Sequence, residues 1–211
     1  MAKIYHHTLF PSPSSSSSSS SSNDSCCLTS GREIYTLWMK SLVLNGNGCT
    51  IYDSNGEVVY RVDNYDQKCC KEVYLMDQGG KTLYKILRKV RKLRVLGRWE
   101  AYRYNDSNGE EKKPRFRVKN AGGILKGSGS FGIEVMGCGR ENKASYKIEI
   151  LKHPSVYRIM DMAGGLVAQV QRKHAVSGVM LGEDVMTLAV EPNTDRLLVI
   201  GLVVVCCLIN H

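Results

Sequence analysis

From about Arg32 to Glu191 the chain alternates apolar and polar residues in short runs, each broken by glycine, asparagine or aspartate. A period of two is the pattern of a strand with one face buried, and such runs joined by turn residues make consecutive antiparallel hairpins. Asn55-Gly56 separates Cys49-Thr50-Ile51-Tyr52 from Val58-Val59-Tyr60-Arg61-Val62, and Asn-Gly readily takes the positive φ angles of a two-residue hairpin turn. Gly79-Gly80 follows Val73-Tyr74-Leu75-Met76, and Gly164-Gly165 separates the run 156–160 from the run 166–170. An aspartate precedes each turn, at Asp53, Asp77 and Asp161, so strand, Asp, glycine-bearing turn and strand recur as a loose unit. Further strands are predicted at 98–104, 114–119, 131–137, 145–151 and 184–190, giving ten to twelve in all. An open sheet of that width leaves free edges and one apolar face, and closure into a barrel removes both.

The pattern changes after Asp195. Leu197 to Ile209 is a run of thirteen uncharged, almost wholly apolar residues. Its valine content favours a strand, and Gly201 costs a helix about 1 kcal/mol. Against that, the run exceeds the usual strand length, and Pro192-Asn193-Thr194-Asp195 supplies a capping side chain and an early acid, which together predict a helix. At about 1.5 Å per residue such a helix is roughly 20 Å long, short of the ~30 Å hydrocarbon core of a bilayer, so no transmembrane span is expected. Being apolar on every side, it must be surrounded by protein. The expected fold is therefore mainly β: a closed antiparallel barrel of about twelve strands around a central hydrophobic C-terminal helix, one domain over residues 28–211. Residues 1–27 hold Pro11, Pro13 and the serine run Ser14 to Ser22, too little apolar surface to offset ordering entropy, and predict a disordered leader.

Charge adds a candidate site. Residues 81 to 104 carry nine basic side chains against the one acid Glu100, so this window holds +8 of the chain's net +9. The residues singled out as an anion-binding patch are Lys85, Arg88, Lys89, Arg91, Lys92, Arg94 and Arg98. So local a field favours polyanions, either inositol-phosphate headgroups on an anionic membrane surface or nucleic acid. A solvated strand face is the plain alternative. Local periodicity is divided: Leu83, Ile86, Leu87, Val90 and Leu93 fall at helical spacing and would make a basic amphipathic helix, whereas Leu93, Val95 and Trp99 alternate as in a strand. The aromatic residues a nucleic acid would stack on, Trp99, Tyr102 and Tyr104, alternate and serve a core equally well.

Other chemistry is weakly signalled. Six of the eight cysteines are adjacent pairs (Cys26/Cys27, Cys69/Cys70, Cys206/Cys207), and neighbouring cysteines rarely bond to each other. The leader lacks the apolar core of a secretory signal and has no arginine before Arg32, so reduced thiols in cytoplasm or nucleus are expected, and the basic patch adds the expectation of peripheral attachment at the plasma membrane. No Cys-x-x-Cys spacing occurs and the five histidines form no cluster with the thiols, so neither a metal nor a cofactor is expected. Gly127-Ser-Gly129-Ser-Phe-Gly132 fits a phosphate-loop pattern, but the hairpins around it contradict the parallel βαβ unit that pattern needs. His153 and His174 stand beside no nucleophile motif, and no catalytic residues are assigned.

The segment Glu183-Asp184-Val185-Met186-Thr187-Leu188-Ala189-Val190-Glu191-Pro192, Asp195 and the run Leu198 to Val205 resemble the end of the plant LURP-one-related family. Arg98-Trp99-Glu100-Ala101-Tyr102-Arg103 and the stretch Gly165 to Lys173 resemble recurring segments of the same family, so the likeness covers about residues 30 to 210. It implies a tubby-like fold, related in shape to the tubby C-terminal domain and to phospholipid scramblases, and it decides for strands in the basic window. It also implies phosphoinositide binding through basic residues and, for part of the family, a link to plant defence. The chain departs from the family's pattern where an acid commonly follows the valine run: Cys206-Cys207 stand there.

Burial of each Leu, Ile or Val in the final run is worth about 1.5–3 kcal/mol, so several together exceed the usual net stability of a domain, about 5–15 kcal/mol. Truncation after Asp195 is expected to abolish cooperative thermal unfolding. A soluble truncation product that melts cooperatively overturns the buried-helix reading.

Overall fold

A computed structural model describes residues 28–39, 48–63, 72–91, 94–105, 109–120, 130–135, 145–150, 156–174, 178, 181–182 and 184–210. The leader expected over 1–27, His153, Lys92 and the first half of the glycine-rich motif lie outside them. The described residues form β1 (Glu33–Trp38), β2 (Gly48–Tyr52), β3 (Val58–Asp63), β4 (Glu72–Asp77), β5 (Thr82–Arg91), β6 (Arg94–Asn105), β7 (Gly109–Glu110), β8 (Phe116–Asn120), β9 (Ser130–Val135), β10 (Ser145–Ile150), β11 (Tyr157–Asp161), β12 (Leu166–Arg172), β13 (Val185–Val190) and the helix α1 (Arg196–Asn210). The protein is mainly β, one large antiparallel sheet with a single C-terminal helix among the described residues. The sheet has thirteen strands in the order β5-β4-β3-β2-β1-β13-β12-β11-β10-β9-β8-β6-β7, with β5 also paired to β6. The basic window is strand throughout its described length, because Tyr84 and Ile86 on one face are buried and a helix would scatter them. Ser130, Phe131 and Gly132 of the glycine-rich motif sit inside β9, between β8 and β10, so they do not open a helix.

The three aspartate turns share one construction, and it is not the two-residue turn read from Asn55-Gly56. In each, the Asp amide donates to the carbonyl four residues on, at Glu57, Lys81 and Gly165, and the glycine three residues on donates back to the Asp carbonyl. These glycines, Gly56, Gly80 and Gly164, have φ of 83°, 85° and 86°, where a side chain is strained. This is a three-residue connection with glycine in the left-handed position, and a register shift in each hairpin absorbs the extra residue. The aspartate carboxylate ties the loop: Asp53 Oδ1 accepts from Asn55 and Glu57, and Asp161 Oδ1 accepts from Ala163 and Gly165. Asp77 Oδ1 accepts from Lys81.

The helix begins where its cap dictates. Asp195 Oδ1 accepts from the amide of Leu198 at 3.1 Å, so Asp195 itself is the N-cap, and Asn193, with φ 58°, turns the chain ahead of it. Thr29 holds this connection from the other end of the chain. Its amide donates to Thr194 O, its carbonyl accepts from Asn193, and its hydroxyl donates to Glu191 O and accepts from Thr194.

From Leu198 to Cys207 every residue of α1 is buried. The side chains around it come from all along the sheet: Leu37, Ile51, Val62, Leu75, Ile86, Ala101, Phe116, Ile148, Ile159, Ala168 and Leu188 all belong to the one core cluster. Gly201 explains its own presence. A Cβ there would lie 2.9 Å from Phe116 Cε1 and 3.0 Å from Cζ, so the ring of Phe116, itself edge-on to Tyr84 at 5.7 Å, occupies the space a side chain would take.

Cys206 and Cys207 lie in this interior with Cys49. The Tyr157 hydroxyl is 3.5 Å from both Cys207 Sγ and Val203 O, so one phenol meets the polar needs of the segment without a buried charge. Burial pushes the Cys207 thiol up to about 11, partly offset by the Tyr157 contact, and it pushes Cys206 and Cys49 well above the ordinary range.

Two predictions follow from this packing. Gly201→Val is expected to lower Tm by about 4–8 °C, the equivalent of roughly 2 kcal/mol of overpacking, and Phe116→Leu in the same chain to restore at least half of it. Additive losses in the double variant would refute the close approach. Cys206 and Cys207 should resist iodoacetamide at pH 8 until urea unfolds the protein. Because the folded thiols ionise later than unfolded ones, whose pKa is about 8.5, their contribution is complete below that pH and erodes as pH rises toward about 11. Rapid native alkylation, or a flat stability profile from pH 8 to 11, contradicts their burial.

Candidate functional site

Alternation along β5 sets where the basic side chains go. Tyr84 and Ile86 face the core, which puts Lys85, Leu87 and Lys89 on the outer face and returns Arg88 to the parity of the core residues. Arg88 is nonetheless exposed, near the end of the strand, opposite buried Trp99. Across the β5–β6 ladder Lys89 is directly opposite Arg98 and Arg91 directly opposite Arg94. Like charges at directly opposite positions of neighbouring strands repel. The register therefore concentrates positive charge at this hairpin at some cost to the sheet.

The seven predicted residues divide. Lys89 and Arg98 are brought together on one face, with Lys85 four residues before Lys89 on the same side. Arg91 and Arg94 come together by register, Arg88 stands on the opposite face, and Lys92 lies outside the described residues. Lys85 and Arg98 are also committed internally, Lys85 to Glu72 at 3.6 Å and Arg98 to Glu100 at 2.9 Å.

Glu100 is the residue whose role composition concealed. Counted as the one acid in a basic window, it is 3 % exposed on the outer face of β6. Its Oε1 accepts from Arg117 Nε at 3.1 Å and its Oε2 from the Tyr102 hydroxyl at 2.7 Å. Arg98 Nε approaches the same Oε1 at 2.9 Å but off the line of a hydrogen bond, so that contact is ionic. Arg117 is placed by register, opposite Glu100 across β6 and β8.

The Tyr102–Glu100 pairing recurs. Tyr35 donates to Glu33 on β1 and Tyr74 to Glu72 on β4, each a tyrosine two residues after a glutamate on the same side of a strand. Each glutamate also meets a cation: Arg196 at 3.4 Å for Glu33, Lys85 for Glu72, and the two arginines for Glu100. Burial, then the Glu33 carboxylate, push the Tyr35 phenol upward, so it stays a donor. The signal was present in sequence as Glu-x-Tyr at 33–35, 72–74 and 100–102.

The sheet has two unlike ends. The aspartate turns lie at the end where α1 begins, beside a cleft of about 530 Å³ lined by Tyr35, Val59, Tyr60, Asp77, Gln78, Gly79 and Arg196. Register carried from β2 through β3, β4 and β5 puts the basic hairpin at the other end, on the side of Cys49. The thiol of Cys49 feels that of Cys207, so this is also where α1 finishes. Trp99 is in the core and Tyr104 is exposed near the opposite end of β6, so among the described residues no row of free aromatic faces accompanies the charge. His174 is exposed after β12. Among the described residues no His, Cys, Asp or Glu cluster has metal-binding geometry, and no helix is long and apolar enough to cross a membrane.

The comparisons with known proteins agree with this architecture. A crystal structure of an Arabidopsis thaliana protein superposes with a TM-score of 0.58 at 16% identity, covering 87% of this chain and 94% of that one, a likeness that speaks to fold alone. Among curated proteins, LURP-one-related 11 of Arabidopsis thaliana is 40% identical over 190 residues, covering 87% of this chain and 80% of that protein. LURP-one-related 4 of the same plant is 42% identical over 185 residues, 87% of this chain and 81% of that protein. The sequence profile of the LURP-one-related family matches residues 33–207, and the chain belongs to that family.

Proposed function

We propose that the protein is a non-catalytic, tubby-like docking domain whose basic hairpin binds the anionic headgroups of a membrane surface, phosphoinositides in particular. In this reading the sheet works as a closed cylinder around α1. Support comes from the strand pairings, in which β5 is bonded to both β4 and β6 while β6 also meets β8. The observation that carries the ligand reading is the register of β5 against β6, which sets Lys89 against Arg98 and Arg91 against Arg94. An anion seated there relieves repulsion that the free protein bears, and each basic residue near an anionic surface adds about 1 kcal/mol. Reversible attachment from the cytoplasm or nucleus, coupled to a signalling role in plant defence, is the setting this favours.

Two other readings are weaker. Nucleic acid shares the charge requirement, but Trp99 is 4% exposed and unavailable for stacking. A scramblase-like lipid mover would need α1 to leave the sheet and insert, yet its 15 residues make about 22 Å, short of a bilayer.

Reversal of charge in the triple variant K89E/R91E/K92E is expected to abolish binding to phosphoinositide-containing vesicles at physiological salt. Unchanged vesicle binding by the variant, or none by the native protein, refutes the docking surface. Salt-dependent binding of the native protein to DNA, with none to anionic vesicles, transfers the surface to nucleic acid.

A further inference from the structure

We infer that Arg117 on β8, with Arg98 on β6, forms a seat for a single phosphoryl group, and that Glu100 is the residue that positions both. This rests on the anionic-docking reading and extends it to a strand outside the basic window. Both Nε atoms lie against one oxygen of Glu100, at 2.9 and 3.1 Å, so they stand no more than about 6 Å apart. A guanidinium has five donors; Arg117 Nε donates to Glu100 and Arg98 Nε makes only an ionic contact with it, so the seat is offered by the terminal amino groups of the two arginines. N–H to phosphate oxygen bonds of about 2.7–2.9 Å reach across that gap with two oxygens of one phosphoryl group.

Exposure separates the parts. Glu100 is 3 % exposed, whereas Arg98 and Arg117 are 32 % and 29 % exposed, so the carboxylate is covered while the arginines remain reachable. Tyr102 fixes the other carboxylate oxygen, which keeps Glu100 from turning toward solvent. Lys89, opposite Arg98, brings a third cation to the same face. Glu134 on β9 is likewise directly opposite Arg117, so by register the two positions share a face of the sheet. Without Glu100 the two guanidiniums would repel each other and separate. A carboxylate that lowers the net charge of the surface thereby improves its geometry for a phosphate.

This gives a test in which simple electrostatics and positioning have opposite signs. Binding of the full chain is measured to vesicles containing phosphatidylinositol phosphates, to vesicles of matched charge made with phosphatidylserine, and to soluble inositol phosphates. Thermal melts check the fold of each variant. Arg117→Gln is expected to weaken binding to phosphorylated headgroups about tenfold. Arg158→Gln, which removes the same charge from exposed Arg158 on β11, is expected to change it less than twofold. Arg117→Lys, which keeps the charge and loses the fork, should fall between native and Arg117→Gln. Glu100→Gln is expected to weaken binding about fivefold despite making the protein more positive, and to erase the preference over phosphatidylserine. Equal effects of Arg117→Gln and Arg158→Gln, or tighter and still selective binding by Glu100→Gln, overturn the seat while leaving the wider docking surface standing. Should Glu100→Gln fail to fold, the two Arg117 variants against Arg158→Gln decide. If binding to soluble inositol phosphates matches binding to vesicles, the seat recognises the phosphate and not the membrane. No binding by the native protein to either ends this inference and the docking reading together.

Discussion

Burial of α1 on every face is the constraint to which the rest of the molecule answers. A helix made of leucine, isoleucine, valine and cysteine has no side to show to water, so the sheet must supply apolar partners all around it. The strands do so by alternation, sending Leu37, Ile51, Leu75, Ile86 and their equivalents inward and releasing their polar neighbours outward. Close approach then fixes details that propensity alone would not allow. Gly201 is unfavourable in a helix, but the Phe116 ring needs its missing side chain.

A dry interior also decides where chemistry can be. Ionised groups are kept to the start of α1, where Arg196 meets Glu33, and the polar atoms buried along the rest of it, the thiols and the Tyr157 hydroxyl, are kept neutral by burial. Charge is exported to the outer face and to the two ends. On the outer face it is organised by Glu72 and Glu100, which each take a tyrosine and a cation, while Glu33 and Tyr35 repeat the arrangement on the core-facing side of β1 where α1 begins. Glu100 is the extreme case, nearly buried on the outside of the sheet by the arginines and tyrosine it holds.

Much of this was legible in the sequence, for physical reasons that also mark where reading stops. Strand positions follow from a period of two imposed by one buried face, and the predicted strands at 145–151 and 184–190 are observed at Ser145–Ile150 and Val185–Val190. The helix was readable because the length and cap outweighed valine's preference, although the cap is Asp195 and not a residue before it. The turns were placed correctly and built differently, since Asn-Gly suits a two-residue turn only if the strands stay in register, and the aspartate amide bonds one residue further on. The divided periodicity of the basic window was not decided by the local pattern but by the family resemblance, and strands are observed at Thr82–Arg91 and Arg94–Asn105. Which basic residues face each other was beyond reach, because register between β5 and β6 shifts after Lys89 and no local signal specifies that shift. Arg117 was missed for the same reason: it is 17 residues from Glu100 in sequence and adjacent only once β6 and β8 pair.

The pairing of β1 with β13 has a consequence for how the chain is made. During synthesis the strands leave the ribosome before the C-terminal helix that packs against them, and β1, which can pair with β2 at once, lacks its second neighbour until β13 has emerged. Until then the growing polypeptide carries an uncovered apolar sheet face and an unpaired strand edge, a state prone to association and slow to resolve because the β1–β13 contact is so distant in sequence.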